Sequence, residues 1–91
     1  MARVVWSPEA LAQLRAIIDY IQLFDPAAAN RLAERLVLLG EGLSVFPHKG
    51  RPAVRGTREI VTVRPYIMRY DVQDDEVRII SIRHGAQLPD D

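Results

Sequence analysis

The sequence has no cysteine, only two histidines and no long apolar run, and each absence excludes a class of protein. Without cysteine the chain can form neither a disulfide framework nor a cysteine-based zinc site. His48 and His84 lie too far apart to suggest metal-ligand spacing, so we expect no metal and no cofactor. No stretch approaches the roughly 20 apolar residues of a membrane span, and the first residues lack the apolar run of a signal peptide. We therefore expect a cytoplasmic protein without a membrane partner.

The length of the chain predicts one domain. Its 91 residues are too few for two independent cores, so residues 1–91 are expected to form a single domain. Apolar residues make up 48% of the chain and charged residues 26%, which is ordinary for a globular protein.

The formal net charge of zero conceals an uneven distribution. Six cations lie between His48 and Arg69 and only Glu59 opposes them, which gives a local excess of +5. Eleven of the twelve cations in the chain are arginine, the residue suited to bidentate contact with carboxylate or phosphate. The pattern indicates a cationic surface for a macromolecular partner. A solvated face that only keeps the protein soluble is the simpler alternative.

Two segments carry apolar residues at helical spacing, and each follows a helix-start signal. Ser7-Pro8 precedes the first segment and Asp25-Pro26 the second, so each has a capping side chain followed by proline at the first helical position. The two stripes are Leu11, Leu14, Ile18 and Ile21, then Leu32, Leu36, Leu39 and Leu43. Because the turn between them is short, we predict an αα-hairpin that ends before Pro47.

The remaining segments have the composition of strands and turns. Residues 57–63, 66–72 and 77–83 are rich in β-branched and aromatic residues, and residues 4–6 predict a short strand before the first helix. Residues 47–52 predict a loop, and residues 87–91 a polar tail. The expected order is β-α-α-β-β-β, an α+β two-layer domain with the helical hairpin packed on one face of an antiparallel sheet.

The strand patterns do not separate an apolar face from a polar one. The apolar set that we assign to the helix-covered face of the middle strand is Tyr66, Met68, Tyr70 and Val72. In residues 77–83 one set contains Ile79 and the other contains Ile80 and Ile82, so the buried set stays open. We interpret the mixture as an open face that exposes isoleucine or valine beside arginine and binds a partner. Cover by a loop or tail, or dimerisation, is the alternative.

Several short motifs occur in a characteristic order along the chain. They are Val5-Trp6-Ser7-Pro8-Glu9-Ala10, Tyr20-Ile21, Phe46-Pro47, Gly50-Arg51-Pro52, Gly56-Thr57-Arg58-Glu59, Tyr66-Ile67, Tyr70-Asp71-Val72 and Ile82-Arg83-His84-Gly85-Ala86-Gln87. With these motifs the chain resembles the RelE/ParE superfamily of toxins from type II toxin–antitoxin systems, over nearly its whole length. The resemblance implies a toxin held in a hetero-oligomer by a ParD-like or RelB-like antitoxin.

The resemblance implies one of two activities. RelE-like members cleave mRNA on the ribosome, whereas ParE-like members act against DNA gyrase and are not known as nucleases. Cleavage needs a base, an acid and cations around the phosphate. Here Gly85, Ala86 and Gln87 fill the positions where nuclease members often carry a late tyrosine, and Lys49 is the sole lysine. We therefore favour the ParE-like branch and a non-enzymatic inhibitor, with a ribosome-dependent endoribonuclease and a non-toxic interaction module as alternatives.

Two sets of residues follow as candidates for the site. If the chain is a nuclease, the catalytic candidates are Arg58, Arg83 and His84, although a structural hydrogen-bonding role is the simpler interpretation of His84. Because adjacent strand residues point to opposite faces, we interpret Glu59, next to Arg58, as structural or solvated. The candidates for binding the target or the antitoxin are Arg51, Arg55, Arg58, Arg64, Ile67, Arg69, Ile79 and Arg83.

Overall fold

The computed structural model describes residues 1–85, which form two helices packed on one side of a five-stranded sheet. The elements are β1 (Arg3–Trp6), α1 (Pro8–Gln22), α2 (Pro26–Glu41), β2 (Arg51–Pro52), β3 (Arg58–Ile60), β4 (Tyr66–Gln73) and β5 (Glu76–His84), with short 3₁₀ turns at Gly42–Ser44 and Val54–Gly56. The predicted α+β class and two-layer architecture are confirmed. The predicted tail at residues 87–91 lies outside the described residues.

Both helices begin at the predicted capping residues. Ser7 Oγ accepts a hydrogen bond from the Ala10 amide at 3.0 Å, and Asp25 Oδ1 accepts one from the Ala28 amide at 3.1 Å. Proline follows each capping residue, where a missing amide hydrogen costs nothing. The caps and prolines fix the start of each helix. Of the two predicted stripes, Leu36 and Leu43 are buried and Leu14 and Leu39 pack against the core, whereas Leu11 is 48% exposed.

The sheet is mixed, although the sequence analysis expected an antiparallel one. The strand order is β1-β5-β4-β3-β2, and β1 runs parallel to β5 while the other pairs are antiparallel. A tight turn enforces antiparallel pairing only between strands that it joins, and β1 and β5 are separated by the rest of the described chain. Two further details differ from expectation: part of the predicted loop at 47–52 forms β2, and β3 ends at Ile60 rather than at residue 63.

A register shift in β5 explains the mixed pattern of the last strand. Arg69 of β4 pairs with Ser81, but the next residue of β4, Tyr70, pairs with Ile79, so Ile80 is an extra residue without a cross-strand partner. Such a bulge reverses the alternation of faces beyond it. Ile79 before the bulge and Ile82 after it therefore both point to the helices, with 0% and 2% of their surface exposed.

The bulge corrects one predicted binding residue. Ile79 was expected on a partner-binding face, but it is part of the core and cannot contact a partner. The isoleucines of β5 appeared in both alternation sets because the strand changes phase, and the open side of the sheet gains no apolar surface from Ile79 or Ile82.

Side chains from the start of α1 satisfy the backbone of β5 beside the bulge. β1 ends opposite Ile79, so the β5 edge beyond that point has lost its neighbouring strand. Ser7 Oγ donates to the Ile80 carbonyl at 2.9 Å, and Gln13 Oε1 accepts from the Ile82 amide at 2.7 Å. Because unpaired backbone groups inside a protein are costly, these two side chains stabilise the bulge and tie α1 to β5.

The core lies between the helices and the helix-facing side of the sheet. Its buried cluster is Ala10, Leu43, Ile60, Met68, Tyr70, Val77, Ile79 and Ile82. The hydroxyl of Tyr70 accepts a hydrogen bond from the Gly50 amide at 2.8 Å, which satisfies the polar end of a fully buried ring and anchors the loop before β2.

Gly40 lets α2 approach the sheet. A Cβ atom at this position would lie 2.5 Å from Cζ2 of Trp6 and 2.7 Å from Cδ1 of Ile79. The Trp6 indole N–H also donates to Glu41 Oε2 at 2.8 Å, which holds the ring against the helix. Glycine inside a helix costs stability relative to alanine, and the close approach of Trp6 and Ile79 is the physical reason for a glycine at this position.

We predict that Gly40→Ala lowers the free energy of unfolding by about 1–3 kcal/mol, because the added methyl group overpacks the contact with Trp6 and Ile79. Urea unfolding measures the change. Gly42→Ala is the matched control: a Cβ at Gly42 meets nothing within 4 Å and its backbone is helical, so this variant should be neutral or slightly more stable. Equal destabilisation by both substitutions would contradict the packing explanation.

Candidate functional site

The side of the sheet away from the helices, the open side, carries a group of arginines around one carboxylate. The register pairs Arg51 of β2 with Glu59 of β3, and Glu59 in turn with Arg69 of β4. Arg69 pairs with Ser81 of β5, and Arg83, two residues after Ser81, also contacts the Glu59 carboxylate. We call these four residues the arginine cluster. It joins four neighbouring strands through their side chains.

The contacts within the arginine cluster are short and converge on Glu59. Oε2 of Glu59 accepts from Nε and Nη2 of Arg69 at 3.2 and 2.9 Å, and from Nη2 of Arg83 at 3.2 Å. Oε1 lies 3.6 Å from Nη2 of Arg51. The side chains of Arg69 and Arg83 are each 12% exposed and that of Glu59 is 11% exposed, whereas that of Arg51 is 63% exposed. The cluster therefore has a nearly buried base and one solvent-exposed cation at its edge.

The arginines keep Glu59 ionised. Burial by itself raises the pKa of Glu59, but the hydrogen bonds from Arg69 and the charges of Arg69, Arg83 and Arg51 outweigh burial and leave the pKa below its ordinary value. A carboxylate with a lowered pKa is a weak base and is not protonated at neutral pH. Glu59 thus serves as a fixed negative charge, and the cluster keeps a net charge of +2.

Arg58 does not belong to the arginine cluster, which corrects its assignment to a site with Arg83. Arg58 pairs with the buried Tyr70 and so lies on the helix-facing side, whereas Arg83 lies on the open side. Nη1 of Arg58 donates to the carbonyls of Gly50 at 2.7 Å and His48 at 3.3 Å. The contacts of Arg58 hold the loop before β2 against the sheet.

The side chains of His84 and Arg83 point to opposite sides of β5, although both residues line a groove beside α1 with Gln13 and Ile17. His84 points to the helix-facing side, where its ring meets that of Tyr66 edge-on at a centroid distance of 5.7 Å. Tyr66 and His84 line a groove with Ile17, Tyr20 and other residues of α1. Of the catalytic trio predicted from the sequence, Arg58 therefore lies apart from Arg83 and His84.

The other predicted binding residues lie around the arginine cluster or apart from it. Ile67 pairs with Arg83 and is half-buried on the open side. Arg55 is exposed in the 3₁₀ turn before β3, with a positive φ of 56°, and Arg64 is exposed in the turn before β4. Further along the open side, Asp71 pairs with Arg78.

Most of the exposed large apolar side chains lie on the helices, in the connection between them and in the turn after α2, rather than on the strands of the open side as expected; Met1 and Val54 are also exposed. At the end of the helical hairpin Tyr20, Leu23 and Phe24 are largely exposed, and the rings of Tyr20 and Phe24 meet edge-on at 5.3 Å. Val45 and Phe46, with the loop that follows, line a wide groove. The helical apolar surface at Tyr20, Leu23 and Phe24 thus lies apart from the arginine cluster, whereas Lys49 lies in the groove with Val45 and Phe46.

Residues 1–85 contain neither a metal-ligating cluster nor a membrane-spanning helix. No group of three metal-ligating side chains occurs there. Neither helix in this range is long and apolar enough to cross a membrane.

Comparison with known proteins decides the family. Residues 4–89 match the family described as the ParE toxin of the type II toxin–antitoxin system parDE. The chain belongs to the ParE toxin family. A shared fold alone would not carry this conclusion, but the match extends over nearly the whole sequence of this ParE-family toxin.

Individual relatives agree with the family. The toxin is 50% identical over 88 residues to a protein named Toxin RelE2 from Caulobacter vibrioides, a match that covers 97% of this chain and 100% of the relative. It is 37% identical over 87 residues to Putative toxin Y4kP from Sinorhizobium fredii, covering 93% and 90% of the two chains. A solved structure described as the chromosomal ParDE TA system from P. aeruginosa superposes with a TM-score of 0.81 at 27% identity, covering 92% and 96%.

Glu59 is the central residue of the site that the sequence analysis missed. Strand alternation correctly placed Glu59 and Arg58 on opposite faces of the sheet. Glu59 was interpreted as structural or solvated, but the arginines that bind it were not identified. The available signal was its position as the one acid among six cations in residues 48–69. Arg83 could not be added to that group from sequence, because the bulge changes the phase of β5.

We predict that Glu59→Gln lowers the free energy of unfolding of this ParE-family toxin at pH 7 by about 2–3 kcal/mol, because three arginines lose their shared anion. The pKa of Glu59 is lower in the folded than in the unfolded chain, so its stabilisation is present above the unfolded pKa and is lost as the pH falls through the folded one. The difference in free energy of unfolding between wild type and Glu59→Gln should therefore become smaller as the pH is lowered from 7 to 3, as measured by urea unfolding.

Arg51→Gln provides the control for the same experiment. Arg51 is largely exposed and its Nη2 lies 3.6 Å from the carboxylate, so Arg51→Gln should lower the free energy of unfolding by less than about 1 kcal/mol. A Glu59→Gln difference that stays constant from pH 7 to pH 3 would show that the ionised carboxylate is not the source of the stabilisation.

Proposed function

We propose that this ParE-family toxin inhibits DNA gyrase by binding it, without cleaving RNA, and that a cognate ParD-like antitoxin neutralises it. Family membership supports a toxin of this class, since ParE-like toxins act against gyrase. The solved relative described as a ParDE TA system supports an antitoxin partner and a hetero-oligomeric complex.

The positions of the ionisable groups in residues 1–85 support the proposal that the toxin is not a nuclease. RNA cleavage by attack of the 2′-hydroxyl needs a base and an acid at the cations that hold the phosphate. The carboxylate at the arginine cluster is fixed as an ion by Arg69 and Arg83, and His84 points to the other side of the sheet. Within residues 1–85, the group that accepts a hydrogen bond from the Arg83 side chain is this ionised carboxylate, which is a poor base.

Ribosome-dependent RNA cleavage is the second candidate. It is favoured by the name Toxin RelE2 of a relative with 50% identity and by the arginines on the open side, which are suited to phosphate. If cleavage is the activity, the catalytic groups must include residues beyond the trio Arg58, Arg83 and His84, because these three point to different sides of the sheet.

A gyrase supercoiling reaction tests the proposal. We expect the purified toxin to block supercoiling of relaxed plasmid by gyrase and the antitoxin to restore it, because binding to the toxin removes the surface that meets the enzyme. An unrelated topoisomerase should be unaffected by the same toxin concentration. Full supercoiling at a large excess of toxin that still arrests growth would contradict gyrase as the target.

Expression without the antitoxin separates the alternatives. New mRNA 5′ ends on translating ribosomes would identify the endoribonuclease, whereas growth arrest without new ends supports the gyrase inhibitor. Normal growth with folded toxin present would identify a non-toxic interaction module.

We further predict that the antitoxin offers an acidic and apolar segment, with carboxylates for the exposed cations Arg51, Arg55 and Arg64. The association rate should then fall roughly tenfold or more as the Debye length shortens from about 10 Å to about 3 Å with added salt. Stopped-flow mixing measures the rate, and Arg55→Gln combined with Arg64→Gln should reduce its dependence on salt. An association rate that salt does not change would rule out electrostatic steering.

A further inference from the structure

We propose that Glu59 is an internal anion that fills an oxyanion-binding site formed by Arg51, Arg69 and Arg83, and that it thereby keeps nucleic-acid phosphate off the open side of the sheet. This inference concerns ligand selectivity of the isolated toxin and does not depend on gyrase being its target. It assigns Glu59 a role that neither the fold nor the proposed inhibition requires.

The geometry is that of a site for an oxyanion. Guanidinium groups from β2, β4 and β5 approach one carboxylate, with N···O distances of 2.9 to 3.6 Å. Arginine forms the same planar contacts with carboxylate and phosphate, so the donors that hold Glu59 would also hold a phosphate group. The chain supplies the anion itself, from the strand that runs between two of the arginine-bearing strands.

The site opens to solvent on one side. Arg69 and Arg83 form its nearly buried base, whereas the side chain of Arg51 is 63% exposed at the outermost strand of the sheet. The carboxylate of Glu59 lies between base and edge and retains 11% side-chain exposure. An anion that replaced this carboxylate could therefore enter from the side of Arg51.

An internal carboxylate is hard for an external anion to displace. Glu59 is attached to β3 and pairs with the arginines without losing translational freedom, whereas a free phosphate or an RNA strand must lose it on binding. A phosphate brought close to the occupied site also meets the negative charge of Glu59 at short range. The two deepest arginines therefore contribute little to polyanion binding while Glu59 is present.

Glu59→Ala is the variant that should expose the site. It removes the carboxylate and leaves Arg69 and Arg83 nearly buried without their shared anion, a state that an added oxyanion stabilises. We expect the thermal midpoint of Glu59→Ala to rise by roughly 5 °C or more when sodium phosphate replaces sodium chloride at equal ionic strength. The midpoints of wild type and of Glu59→Gln, whose amide fills the space, should not respond in this way.

A second measurement tests the exclusion of nucleic acid. Anisotropy of a short fluorescent single-stranded RNA should show at least roughly tenfold tighter binding to Glu59→Ala than to wild type, with a steeper dependence on salt. Glu34→Ala, which removes an exposed acid of α2, raises the net charge equally and serves as the control. Its RNA affinity should stay near that of wild type.

Each outcome decides the proposal. A phosphate-dependent rise in the midpoint together with tighter RNA binding in Glu59→Ala alone supports it. Equal RNA affinity for Glu59→Ala and Glu34→Ala, or equal responses of wild type and Glu59→Ala to phosphate, overturns it. If Glu59→Ala does not fold, Glu59→Ser, which also removes the carboxylate and leaves the space open, takes its place in the RNA measurement, and an affinity no higher than that of Glu34→Ala overturns the proposal. Neither measurement uses gyrase, so failure of gyrase inhibition leaves the result interpretable.

Discussion

The bulge at Ile80 determines which side chains of β5 lie in the core and which lie on the open side of the sheet. Because the strand changes phase at this residue, Ile79 and Ile82 both reach the core, and Arg83 reaches the open side beside Arg69. Ser7 and Gln13 satisfy the backbone next to the bulge, so the start of α1 stabilises the phase change. Without this irregularity, a strand that places Ile79 in the core would turn Ile82 away from it.

The arginine cluster shows how the same residue types can support structure or chemistry. Arginine near a carboxylate is a common arrangement at nucleolytic sites, but here the carboxylate accepts hydrogen bonds from two nearly buried arginines and keeps a lowered pKa. Such an ion cluster links neighbouring strands and fixes the shape of the surface. A fixed surface of this kind is consistent with the inhibition by binding that we propose, which requires a defined shape rather than groups that exchange protons.

The α+β class, both helices and four of the five strands could be predicted from sequence because their signals are local, whereas the parallel pairing of β1 with β5 and the short β2 could not. The capping residues Ser7 and Asp25, the two apolar stripes and the composition of the strands each act within a few neighbouring residues. The site could be predicted only in part, because it depends on pairing between distant strands. Arg51, Arg69 and Arg83 were identified as candidates by charge, but Glu59 and the exclusion of Arg58 require the register of β2, β3 and β4. Ile79 was misplaced because a bulge leaves no signal in residue composition.

The parallel pairing of β1 with β5 has a consequence for synthesis of the toxin. Ser7, directly after β1, hydrogen-bonds Ile80 across a separation of 73 residues. During translation, β1 can therefore pair with its neighbouring strand only after β5 has been synthesised. Contacts of such long range form late and slowly. Arg83 also joins Glu59 only at that stage, so a partly translated chain lacks this surface. Both the β1–β5 pairing and the complete arginine cluster therefore form only after translation of β5 has finished.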